Sequence, residues 1–110
     1  MNFKKIIHIN KTKFEISPDI KRFSLRDLGF FVNNKGFFIK IINLEPEKKE
    51  NSIKMKITFK DDLTAFKILF LSANKGIKID IFKIQDNYSI VEQYRFVMKQ
   101  LLVYKVLERG

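Results

Sequence analysis

Residues 29–44 (GFFVNNKGFFIKIINL) place apolar side chains on both faces of a hairpin, and that two-sidedness constrains the fold most. One face carries Phe30, Val32, Phe38 and Ile42; the other carries Phe31, Phe37, Ile39 and Ile41. Residues 66–72 (FKILFLS) are also apolar on both sides, with Phe66, Ile68 and Phe70 opposed to Leu69 and Leu71. Successive strand residues point to opposite faces, so such a sheet gains free energy only when both faces leave water. One helix covers one face. The other needs a second sheet, another subunit or a ligand cleft; an internal layer and a dimer contact rank equal, and the cleft third.

The remaining pattern predicts an α+β fold of mostly antiparallel strands in a single domain, residues 1–110. Residues 3–9 and 12–16 read as strands around an Asn10-Lys11 turn. Ser17-Pro18 suits a helix opening, which predicts a short helix or helical turn over 18–28 closed by Gly29. Asn33-Asn34-Lys35-Gly36 supplies the left-handed positions of the hairpin turn. Residues 45–51 (EPEKKEN) read as the most exposed loop. Strand 52–60 alternates, with Ile53, Met55, Ile57 and Phe59 facing a core and Lys54, Lys56, Thr58 and Lys60 facing water. Residues 66–72 and 77–84 read as a second hairpin around Ala73-Asn74-Lys75-Gly76, echoing the first turn. A single long helix is expected over 89–108. Ser89 and Glu92 form its capping box, and Ile90, Val91, Tyr94, Val97, Met98, Leu101 and Leu102 form its apolar stripe.

Charge narrows the function only a little. The chain carries 22 Lys+Arg against 12 Asp+Glu, a formal +10, which is the footprint of a nucleic-acid binder. Yet 18 of the basic residues are lysine and four are arginine, whereas base and phosphate readers favour the planar arginine fork. With 16 Ile, 12 Phe and 8 Asn against 2 Ala, the composition follows A/T-rich codons, and this bias accounts for much of the lysine. Residues 1–60 hold 14 basic and 6 acidic side chains (+8), and residues 61–110 hold 8 and 6 (+2). Phenylalanine-bearing strands with lysines resemble sheets that stack single-stranded RNA, but the glycine- and arginine-bearing signature of that class is missing. A basic single-stranded nucleic-acid module therefore stays the second reading, with nucleic acid disfavoured as a partner.

Catalytic candidates are few. With no cysteine and one histidine, His8, thiol chemistry and multi-histidine metal centres are excluded. His8 lies within a strand pattern, no nucleophile-elbow sequence surrounds any serine, and no phosphate-binding glycine loop occurs. Asp61-Asp62 reads as a turn before a metal site. No catalytic residue, metal ligand or cofactor is assigned. Arg26 and Asp27, in Ser24-Leu25-Arg26-Asp27, are the candidate ligand-binding pair, suited to a small anionic or zwitterionic ligand. No apolar run approaches a membrane span or signal peptide, so a cytoplasmic protein is expected, with a homodimer or protein partner left open.

The run from Ser17 to Phe30 (SPDIKRFSLRDLGF), with Leu63 and Ile79-Asp80-Ile81-Phe82-Lys83, resembles domain-of-unknown-function family 1831 of lactobacilli and related Firmicutes. The resemblance implies two small β-sheets packed on one main helix, which would cover the two-sided hairpin from within, and it argues against a full helix at 18–28. It also implies a link to amino-acid metabolism, beside cysteine desulfurases, and a remote likeness to S-adenosylmethionine decarboxylases. Arg26 and Asp27 match the family motif without a role attached to them. Those decarboxylases generate a pyruvoyl group by cleavage at a Glu-Ser bond. Here the residues before the five serines are Ile16, Phe23, Asn51, Leu71 and Tyr88, so no such bond exists. The leading expectation is a non-enzymatic binding or accessory protein of amino-acid or sulfur metabolism.

Overall fold

The computed structural model describes residues 3–73 and 76–110. Asn10 and Lys11 both take left-handed backbone (φ 46° and 69°), the geometry of a two-residue hairpin turn, and join β1 (Ile6–Ile9) to β2 (Thr12–Ile16). Ser17 then closes a turn by accepting a hydrogen bond from the Asp19 amide (3.1 Å). The helix expected over 18–28 is consequently shorter: α1 spans Arg22–Asp27, with Lys21 in the cap position and no capping side chain. It ends as expected at Gly29 (φ 92°), where the Gly29 amide donates to Arg26 and the Phe30 amide to Leu25.

Strands β3 (Phe31–Val32), β4 (Phe38–Asn43), β5 (Lys54–Phe59) and β6 (Phe66–Leu71) follow and pair antiparallel in that order. Between β4 and β5 the expected loop winds into a 3-10 helix over Pro46–Asn51. Glu45 is buried at its start, because its carboxylate accepts from the Ile53 amide (3.1 Å) and pairs with Lys48 (2.8 Å). The second hairpin does not form as expected. Residues 77–84 give one bridge, Leu71 to Lys78, and then a 3-10 turn over Ile81–Lys83. The Asp80 carboxylate captures the Phe82 amide (3.0 Å), which competes with strand pairing, and Ile81 is drawn fully into the core. Asn74 and Lys75, at the tip of the echoed turn, lie outside the described residues.

The long helix, α2, spans Tyr88–Val103 rather than 89–108. Its capping box is absent. Asn87 precedes the helix with its side-chain amide donating to the Ile81 carbonyl (2.9 Å), Ser89 falls inside the first turn, and Glu92 pairs with Arg95 instead. At the far end Lys105 is left-handed (φ 57°), and the Lys105 and Val106 amides return to the Leu102 and Leu101 carbonyls. This is the hydrogen-bond pair that ends helices at glycine, built here on lysine. The chain then pairs with β2 as β7 (Leu107–Arg109), completing a second sheet in the order β1-β2-β7.

The two sheets and α2 share one buried cluster. Ile9, Phe14 and Leu107 enter from the small sheet, Met55, Ile57, Phe59 and Phe66 from the large one, and Tyr94, Val97, Met98 and Leu101 from α2. Phe59 stacks on Phe66 (5.5 Å) and meets Phe30 edge-on (5.7 Å). The second layer therefore joins the same core as the helix, and the other face of the large sheet is covered only in part: Ile39 and Thr58 are buried on it, while Phe31 and Ile41 stay exposed. That face reads across the strands as Phe31, Ile39, Thr58, Lys67; then Ile41, Lys56, Leu69; then Asn43, Lys54, Leu71, Lys78. Phe31 and Ile41 are 52% and 51% exposed. Thr58, expected in water, is buried between Ile39 and Lys67, and its hydroxyl finds no partner among the described residues.

Two substitutions test this account by urea denaturation. Thr58→Val removes an unsatisfied buried hydroxyl and should stabilise the fold by about 1 kcal/mol. Lys105→Gly relieves the left-handed strain at the end of α2 and should add about 1 kcal/mol.

Candidate ligand-binding site

Where the small sheet meets α2, the register builds a pocket. Phe14 and Arg109 are cross-strand partners, as are Ile9 and Thr12, so all four sit on the sheet face turned toward the core. On α2, Tyr94 and Met98 are four residues apart and buried; Arg95 and Lys99, one step round, hold the rim. Between them opens a cavity of about 400 Å³, lined also by Asn10 and Phe82. Ile9, Phe14, Phe82 and Met98 form its apolar floor, and Tyr94 meets Phe82 edge-on at 5.5 Å. Three cationic side chains line it (Arg95, Lys99 and Arg109) and no carboxylate does. Glu92 touches Arg95 from outside the lining at 3.5 Å, with the two side chains 49% and 66% exposed, so the pair is weak.

Burial pushes the Tyr94 phenol up to about 12, against the pull of Arg109 and Arg95 in the other direction. The hydroxyl stays protonated at neutral pH and is a hydrogen-bond donor rather than a base. A concave site with apolar walls, one phenol and three cations suits an organic anion.

The residues expected from sequence lie elsewhere. Arg26 and Asp27 are both exposed in the last turn of α1. Arg26 borders an open depression of about 530 Å³ with Ile20, Lys21, Arg22, Phe23 and Leu63, and Asp27 is not on its lining. Arg22 is already committed there, donating to the Asp61 carbonyl at 2.8 Å. Asp62 closes the β5–β6 turn by accepting from the Thr64 hydroxyl (2.6 Å) and amide (3.1 Å), which lowers its pKa. His8 is exposed on β1 opposite Lys13. Among the described residues no three His, Asp or Glu side chains gather as a metal site, and no helix is long and apolar enough to cross a membrane. Arg109 was beyond sequence reasoning because the chain read as helix up to residue 108, with no strand to place Arg109 on a sheet. The Arg95–Lys99 spacing was legible, but only as a solvated helix edge.

Fold and pocket together define a two-sheet α+β domain closed by one long helix, with a ligand-sized site at the helix–sheet junction. The family model of DUF1831, described as "Putative amino acid metabolism", matches residues 1–108, and the chain belongs to that family. The crystal structure of a DUF1831 family protein from Lactobacillus plantarum is similar over 100% of this chain and 99% of that one, with a TM-score of 0.90 and 26% identity. No curated protein matches the chain.

The tyrosine gives a pH prediction. An acid whose folded pKa lies above its unfolded value of 10.0 keeps its proton only in the folded state between pH 10 and about 12. Its contribution is therefore complete below pH 10 and is lost as pH rises through that window, by up to about 2–3 kcal/mol. Wild-type urea stability should fall relative to that of Tyr94→Phe as pH rises from 10 towards 12.

Proposed function

We propose that this protein is a non-enzymatic binding or accessory protein of amino-acid or sulfur metabolism that holds a small carboxylate- or phosphate-bearing ligand in the α2–small-sheet pocket. The observation that carries the reading is the lining itself: Arg95, Lys99 and Arg109 above an apolar floor with no lining carboxylate. A ligand with an anionic end and an apolar or aromatic body would pair its charge at the rim and lay its body on Phe82, Phe14 and Met98. The family description supports the metabolic setting. The phenol, held protonated, supports binding rather than proton transfer.

Thermal-shift and calorimetric titration with amino acids, 2-oxo acids and their phosphorylated relatives tests this. A ligand at 100 times its Kd should stabilise the fold by about 2.7 kcal/mol. Lys99→Ala and Arg109→Ala should each weaken binding by about tenfold or more. Binding that survives both but is lost in Arg26→Ala would move the site to α1. Turnover of the bound ligand would overturn the non-enzymatic reading.

A further inference from the structure

The partly open outer face of the large sheet is charged in one sense only. Lys54, Lys56, Lys67 and Lys78 occupy it, in cross-strand rows that contain no Asp or Glu. The two ion pairs among the described residues, Lys48–Glu45 and Arg95–Glu92, leave all four lysines out. The Lys67 amine is held below its ordinary pKa by burial first, then by Lys56, Lys78 and Lys35, so these cations lie close enough to repel. The carboxylates of the β5–β6 turn stand at the sheet's end, where Asp62 is taken by Thr64.

Aromatic and apolar surface lies among these charges. Phe31 and Ile41 are each about half exposed on the face. Phe3 and Phe37 pair edge-on there (5.0 Å), and the Lys67 ammonium sits 4.7 Å over the Phe3 ring. Lys54 and Lys56 are two residues apart on one strand, about 6.6 Å by strand rise. All four arginines lie elsewhere: Arg22 and Arg26 on α1, Arg95 on α2 and Arg109 on β7. A second copy of this chain would set the same lysines against each other across a two-fold axis, so self-association on this face is opposed.

We propose that this face binds single-stranded nucleic acid without sequence preference, lysines on phosphates and the exposed phenylalanine under a base. Ammonium groups neutralise phosphates as point charges without the bidentate base reading that arginine provides, and stacking accepts any base. An acidic protein would satisfy the charge but leave the aromatic surface unused.

Fluorescence anisotropy with labelled oligothymidylate and a mixed-sequence single-stranded RNA, from about 50 to 200 mM salt, tests it. Both probes should bind with similar affinity, with a log–log salt slope near −0.7 for each phosphate neutralised, about −3 for four lysines. Lys56→Gln and Lys78→Gln should each flatten that slope by about 0.7. Phe31→Ala, on an exposed ring, should weaken binding by about tenfold with the slope unchanged. Lys83→Gln, outside both surfaces, should leave oligonucleotide affinity and its salt slope unchanged. Circular dichroism confirms that each variant is folded. Absence of binding at about 50 mM salt, tighter binding of polyglutamate than of either oligonucleotide, or affinity indifferent to Lys56, Lys78 and Phe31 would each overturn the proposal.

Discussion

The Val106 amide, donating to the Leu101 carbonyl at 2.9 Å, stops the long helix and turns the chain back onto β2. Without that reversal the last residues would continue outward as helix. The small sheet would then lack its third strand, and Arg109 would not face α2. The reversal requires a left-handed residue, and the position is held by Lys105 rather than glycine. The strain is accepted because Val106 and Leu107 are then buried completely, or nearly so.

A shared core follows from the same reversal. Once the small sheet is fastened behind α2, its apolar side chains and those of the helix pack against the same face of the large sheet. Lys40 marks how tightly that face is closed. It sits on the inward side of β4, its amine donates to the Leu28 carbonyl at the end of α1, and burial lowers its pKa. A cation on the core face is tolerated because the C-terminal end of α1 offers it a carbonyl.

The charge is sorted by this arrangement. Arginines with partly apolar surroundings gather at the helix–sheet pocket and on α1, while Lys54, Lys56 and Lys67 lie on the outer side of the large sheet. Seven of the 22 basic residues thus fall on two unlike surfaces, the concave pocket and the outer face of the large sheet. The two proposals concern different partners, a small ligand in the concave pocket and an extended polyanion on the sheet face.

Local chemistry made much of this legible in advance. Alternation in 52–60 and a short apolar run in 66–72 marked the strands, Asn10-Lys11 and the Asn33–Gly36 stretch marked turns with left-handed residues, and Gly29 marked the end of α1, because each rests on neighbours in sequence. The α+β class and the residues of the core stripe on α2 came from the same periodicities. What neighbours do not determine was misread or invisible. Residues 79–83 alternate like a strand, yet Asp80 caps a turn and Ile81 is pulled inward toward α2. Residues 104–108 read as helix, yet β2 supplies a partner edge that only the folded chain brings near. The pocket depends on that pairing, since Arg109 and Lys99 are ten residues apart along the chain and meet only across a helix–sheet junction. The sequence by itself determined which residues are apolar, where the chain can turn and how much charge it carries. Only the tertiary structure decided which sheet face is covered and which cations face one cavity, because burial and proximity are properties of contacts between distant segments.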